Sequence, residues 1–251
     1  MRKFILGAVA ALLFSCGAAF ASEANKPPAQ DWSFDGMFGT YDRAALRRGF
    51  QVYNEICASC HSLRLIAYRN LLEVDFTEEE VKAFAAEFEV EDGPDDEGEM
   101  FTRPAILADR FVPPFANDNE ARASNNGALP PDLSLIIKAR KRGPDYLYAL
   151  LTGYKDEPEG FELMEGMSYN EYFPGLQIAM GPPLEDESVE YPDGTKPTLD
   201  QEARDVVMFL AWASSPELEE RKSLGVKTMI FLIVLTAMLY ALKRRIWADV
   251  H

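Results

Sequence analysis

Two long apolar runs bracket the chain, and between them apolar residues recur at helical spacing. The first run, Phe4 to Phe14, follows Arg2 and Lys3 and precedes Ala19-Phe20-Ala21. A positive start, a short apolar stretch and a small-x-small site read as an export leader. Residues 1–21 are therefore expected to be removed, leaving Ser22 as the first mature residue. Cys16 could instead serve as a lipoprotein cysteine, a use that bulky Phe14 suits badly. The second run, Leu224 to Leu242, holds one charge, Lys227, and meets Lys243, Arg244 and Arg245 at its end. At 1.5 Å per residue it spans roughly 28 Å, close to the hydrocarbon thickness of a bilayer. The pattern predicts a membrane helix over 223–243 and a cytoplasmic tail over 244–251, because basic residues stay inside. Residues 22–222 then form an exported, periplasmic domain.

Within that domain Leu46, Phe50 and Tyr53 predict a helix from Asp42 to Ile56. Thr77 and Glu80 fit a capping box, with Phe76 and Val81 as its hydrophobic staple, and Val81, Phe84, Ala85 and Phe88 form the apolar stripe behind it. Asp132 is expected to cap a short helix over Leu133 to Arg142. Pro144 opens another that ends near Gly153, and Thr198 with Gln201 starts one that reaches Ala213. Residues 22–40 read as an extended lead-in. The acidic tract Glu87 to Glu99 reads as a solvated loop, and residues 101–132 and 154–197 as irregular structure. The class is all-α with long loops. Loops of that length are costly around an ordinary core, whereas a large rigid apolar cofactor would supply what they wrap.

Hydrophobic residues make up 47% of the chain, enough for a packed core. A formal net charge of -16 argues against nucleic acid, whose phosphates need Lys and Arg. It favours a basic protein partner and also serves solubility.

With Cys16 in the leader, Cys57 and Cys60 are the mature cysteines, and His61 follows them directly. Cys57-Ala58-Ser59-Cys60-His61 has the spacing of a c-type haem attachment site. Two thiols three apart reach two vinyl groups on one porphyrin edge, and the adjacent imidazole falls beneath the iron. A redox disulfide or half a zinc site shares the Cys-x-x-Cys pair. No second cysteine pair exists to complete a zinc site, and the strand–helix alternation of a thioredoxin-like fold is missing. The other histidine, His251, lies beyond the membrane run, which excludes a second histidine ligand within the exported domain. A methionine is the expected sixth ligand. Met164, Met167 and Met180 lie in loop-rich sequence. Met180 precedes Gly181-Pro182-Pro183, a rigid strap able to cross a haem face, although a loop methionine also serves simple packing.

The chain resembles the cytochrome c1 family. The resemblance is carried by Arg48-Gly49-Phe50-Gln51-Val52-Tyr53 leading into Cys57 to Ser62, and by Ala123-Ser124-Asn125-Asn126-Gly127-Ala128-Leu129-Pro130-Pro131-Asp132-Leu133-Ser134. Tyr172-Phe173-Pro174-Gly175, Ile178-Ala179-Met180-Gly181-Pro182-Pro183-Leu184, Asp205-Val206-Val207 with Phe209-Leu210-Ala211-Trp212, Glu220-Arg221-Lys222 and the anchor continue it in order. The family pattern implies a class I cytochrome c-like domain enlarged by loop insertions and tethered by one C-terminal helix. It implies one covalent haem c, with His61 and Met180 as iron ligands, Arg122 meeting a propionate, and Asn125 to Pro131 packing along the ring. It further implies a bacterial inner-membrane subunit of a dimeric cytochrome bc1 complex with cytochrome b and a Rieske iron–sulfur protein. Such a subunit carries single electrons from the Rieske protein to a c-type cytochrome and has no catalytic site of its own. A membrane-anchored cytochrome c serving a terminal oxidase is the alternative reading of the same features. The extra cysteine pair of some bacterial relatives is missing here, so no disulfide is expected near the ligand loop.

Overall fold

A computed structural model describes residues 24–250 of the chain. The expected leader and His251 lie outside the described residues. Helix α1 spans Arg43–Glu55, and Asp42 caps it by accepting from the backbone N–H groups of Ala44 and Ala45. Its Leu46, Phe50 and Tyr53 are buried, as their spacing demands. They pack along the longest helix of the domain's core, Leu199–Ser214, capped by Thr198. We number the intervening helices α2 (Glu78–Ala85), α3 (Asp118–Ser124), α4 (Ile136–Ala139) and α5 (Gly143–Thr152), which makes Leu199–Ser214 α6.

The α1–α6 crossing is set by Gly49. A Cβ there would collide with the carbonyl of Asp205, so only glycine permits the approach. Beside it, Arg48 grips Asp205 through Nε at 2.8 Å and Nη2 at 3.1 Å, and Asp193 through Nη1 at 2.9 Å. Phe50 then centres an aromatic cluster, with ring centroids 5.1 Å from Phe76, 5.2 Å from Phe84 and 5.6 Å from Phe209. Edge-on pairs of this kind add to simple area burial. The reciprocal box of Thr77 and Glu80 starts α2, and Val81 is buried beneath it. The lead-in is irregular and wraps back on α5: the Trp32 indole N–H donates to Asp145 at 3.0 Å.

Several loops carry more structure than their composition suggests. The acidic tract does not form a plain loop. Strand β1 (Glu89–Asp92) pairs antiparallel with β2 (Phe101–Pro104), placing the tract on a hairpin. Val90 and Phe88 fold against the core while the acidic side chains face outward, so the charge density itself opposes no burial. Arg103 ties the hairpin to Asp92 at 2.5 Å and to Asp109 at 2.6 Å, and Asp95 closes its tip by accepting from Glu97 and Glu99 N–H. The expected helix over Leu133 to Arg142 shrinks to α4, because Asp132 spends its carboxylate elsewhere and Arg142 takes a positive φ of 60°. Residues 101–132 contain α3, capped by Asn117, with Ala121 as its one buried residue. A 3-10 turn, Tyr68–Val74, supplies buried Tyr68, Leu71 and Val74. Residues 154–197 include a two-residue ladder, β3 (Ser168–Tyr169) against β4 (Gln177–Ile178).

After Ser215-Pro216, helix α7 runs Leu218–Ile246. It begins before the apolar run because Glu219 and Glu220 suit a helix N-terminus. None of its described residues is buried, and its length and composition suit a single membrane span.

Candidate functional site

The last turn of α1 feeds directly into a 3-10 turn over Cys57–Ser59. Both Cys60 and His61 donate their backbone N–H to the Cys57 carbonyl, at 3.1 and 2.8 Å. The buried Tyr53 phenol holds the exit by donating to the His61 carbonyl at 3.1 Å. This tight wrap gathers two thiols and an imidazole at one edge of the helical core. Both cysteines are free and half-buried. Burial pushes the Cys57 thiol up to about 12, and Cys60 adds to the shift. Among the described residues no group of three or more His, Cys, Asp and Glu side chains gathers as a metal cage.

His61 Nδ1 lies 2.8 Å from the carbonyl oxygen of Pro131. A carbonyl only accepts, so Nδ1 carries the proton and Nε2 keeps its lone pair. Burial lowers the imidazole pKa against the opposing pull of Pro131 and Asp132, which favours the neutral ring, the form that binds metal. A carbonyl behind a ligating histidine fixes both tautomer and ring plane.

Pro131 is held in place by its neighbour. The Asp132 carboxylate accepts from Ser62 Oγ at 2.8 Å, Arg64 N–H at 3.0 Å and Ser134 N–H at 2.8 Å. Burial alone would raise this carboxyl, but those donors hold it below its usual value. Leu133 N–H adds a bond to the Ser62 carbonyl at 2.9 Å, and Ser134 reaches Leu65 and, through its carbonyl, Ser214 on α6. Asp132 is thus a staple between the cysteine turn and the proline segment. An Asp-x-Ser Asx turn has the same local signature as a helix cap, which is why its role was not evident in the sequence.

Arg122 and Asn125 sit in one turn of the same side. Arg122 Nη1 donates to the Gly127 carbonyl at 2.9 Å and the residue is otherwise exposed, while Asn125 Nδ2 donates to Ala121 O at 2.7 Å. Asn126 and Gly127 both take positive φ there. A cleft lined by Cys60, Ser62, Ala121, Leu129, Pro130 and Pro131 opens beside the cysteine–histidine turn.

Met180 arrives from a different loop system, two residues after β4. It is half-buried at the edge of the core, and Leu184 beyond the Gly-Pro-Pro strap is buried. Its carbonyl accepts from the Tyr154 phenol at 3.1 Å, a partner not evident in the sequence. Met180 shares no hydrogen bond with the Cys57–His61 turn among the described residues. Half-buried Cys57, Tyr146, Phe173, Ile178 and Met180 pack around the same core. Two free thiols, an imidazole with Nε2 available, a thioether sulfur and apolar walls form a donor set that fits a covalently attached haem.

A helical core carrying this turn is the arrangement of a c-type cytochrome. Comparison with known proteins narrows the class. The sequence pattern of the Cytochrome C1 family matches residues 32–250. The chain is 55% identical over 246 residues to "Cytochrome c1 1, heme protein, mitochondrial" of Arabidopsis thaliana, covering 96% of this chain and 80% of the relative. It is 50% identical to "Cytochrome c1" of Rhodospirillum rubrum, covering 99% and 97%. It is 53% identical to "Cytochrome b-c1 complex catalytic subunit, mitochondrial" of Candida albicans, covering 89% and 78%. The chain belongs to the cytochrome c1 family.

Proposed function

We propose that this chain is the haem-bearing subunit of a dimeric cytochrome bc1 complex, taking single electrons from a Rieske iron–sulfur protein and delivering them to a basic c-type cytochrome. Cytochrome b is its partner in the bacterial inner membrane, and residues 22–222 face the periplasm. The observation that carries the reading is the His61–Pro131 bond, which commits Nδ1 and leaves Nε2 for iron. Bound haem supplies a one-electron iron couple. This chain's own residues would hold the group: Cys57 and Cys60 would provide thioether sulfurs, His61 a nitrogen ligand and Met180 a sulfur ligand. Neutral His with Met favours the reduced iron and so a high potential. Arg122, whose Nη1 donates to the Gly127 carbonyl, would offer a propionate its remaining guanidinium N–H groups, and Asn125 and Pro131 would wall the ring. The chain needs no general acid or nucleophile; it ligates, excludes water and docks.

The test is direct. Purified from membranes, the full-length protein should retain haem on a denaturing gel and show the added porphyrin mass. It should copurify with a di-haem cytochrome b and a Rieske protein. Met180→Leu should abolish the far-red charge-transfer band of a methionine-ligated ferric haem. A chain without added mass, or a Met180→Leu variant with an unchanged band, overturns the assignment.

A further inference from the structure

We propose that Met37 and Phe38 form a second membrane contact, a tip resting at the headgroup–acyl boundary of the bilayer that α7 crosses. The proposal rests on α7 as a spanning helix. Residues 32–41 are built as a clamped loop. Trp32, Phe34 and Tyr41 are buried, and Thr40 N–H donates to the Ser33 carbonyl at 3.0 Å. Between those anchors Met37 is 67% exposed and Phe38 79% exposed. Two adjacent large apolar side chains presented outward from a braced loop mark an interaction surface.

The bracing runs to α7. Lys222 Nζ donates to the carbonyls of Phe34 at 2.5 Å and Gly39 at 3.0 Å. Glu219 accepts from Tyr41 N–H at 2.7 Å and pairs with Arg43 at 2.6 Å. A cleft lined by Met37, Phe38, Ser223, Val226 and Lys227 lies between the tip and the helix. The tip therefore cannot move independently of the first turns of α7.

Helix geometry gives the depth. The basic cluster from Lys243 to Arg245 marks the inner boundary. Ser223 lies about 30 Å back along the helix from Lys243, and Lys227 about 24 Å back, at 1.5 Å per residue. The hydrocarbon core is about 30 Å thick. The turns beside Met37 and Phe38 thus coincide with the outer edge of the hydrocarbon, where Lys227 snorkels outward. A surface continuous with a lipid-facing helix at that level meets lipid. Two contacts, one helix and one tip, would also fix the tilt of the haem-binding domain against the membrane.

A benzophenone analogue of phenylalanine at position 38, in the full-length chain within its membrane complex, tests this. The same analogue at Leu232, Ile233 and Val234, which point to successive faces of α7, reports on the spanning helix. After irradiation, mass spectrometry should find phospholipid adducts at position 38 and at one or more helix positions. Lipid adducts on the helix, with only polypeptide cross-links or no adduct at 38, overturn the tip proposal alone. No lipid adduct at any helix position overturns the spanning reading, and the tip proposal with it.

Discussion

The phenol of Tyr154, at the end of α5, donates to the carbonyl of Met180 at 3.1 Å and so joins the helical core to the methionine loop. Burial raises the Tyr154 pKa, so the hydroxyl remains a donor at physiological pH. One such bond is worth about 1 kcal/mol net, or about five-fold in an equilibrium. Tyr154→Phe should release Met180 about five-fold more often. Carbon monoxide binding to the reduced protein should accelerate by that factor, and the far-red band should bleach at a lower temperature. Wild-type values for both would show that the strap is held by Leu184 and the prolines alone.

Arg48 and Asp205 form a nearly buried pair, with side chains 14% and 1% exposed. Burial raises the Asp205 carboxyl, opposed by hydrogen bonds from Arg48 and Gln201. Arg48→Met leaves that carboxylate uncompensated and should cost about 3–5 kcal/mol in denaturant unfolding. Arg48→Met with Asp205→Asn should recover much of the loss, because the stranded charge is gone. Equal destabilisation in the single and double variants would mean that packing around Gly49, not charge, sets the crossing.

Glu202 on α6 is fully buried, accepts from Val189 N–H at 3.2 Å, and its Oε2 has no hydrogen-bond partner among the described residues. Burial raises its pKa above the ordinary 4.5, and Asp186 adds to the shift. Between those two values the folded state binds more protons than the unfolded state, so stability falls as pH rises. Glu202→Gln cannot titrate. Unfolding free energies measured from pH 4 upward should show wild type losing stability relative to the variant just above pH 4.5, then levelling off. Parallel curves would place the Glu202 carboxyl at its unfolded value.

Under the proposed function the acidic hairpin is a candidate dock for a basic cytochrome, and its acids are not equivalent. Asp92 pairs with Arg103, and Asp95 builds the tip. Asp96 and Glu97 make no side-chain hydrogen bond or ion pair among the described residues. Asp96→Asn with Glu97→Gln should therefore lower the bimolecular rate with a basic c-type cytochrome and flatten its salt dependence. Stability should stay within about 0.5 kcal/mol of wild type. If rate and salt slope match wild type, the hairpin is not the dock.

The helices with strong period and caps, the long apolar run and the cysteine–histidine turn are legible in the amino-acid order alone. Each is written within a few consecutive residues, where spacing alone fixes which side chains share a face. Thr77 and Thr198 cap as their local pattern requires. The rest depends on closure of the chain. The carbonyl behind His61 comes from 70 residues away, Asp132 turns from a presumed cap into a staple, and Tyr154 meets Met180 only after α5 packs beside the strap. The acidic run became a hairpin because Arg103 stands opposite it. Met37 and Phe38, within the stretch read as an extended lead-in, face outward from a loop that Lys222 and Glu219 on the membrane helix hold. Local patterns report a residue's own face; only long-range contacts determine what that face meets.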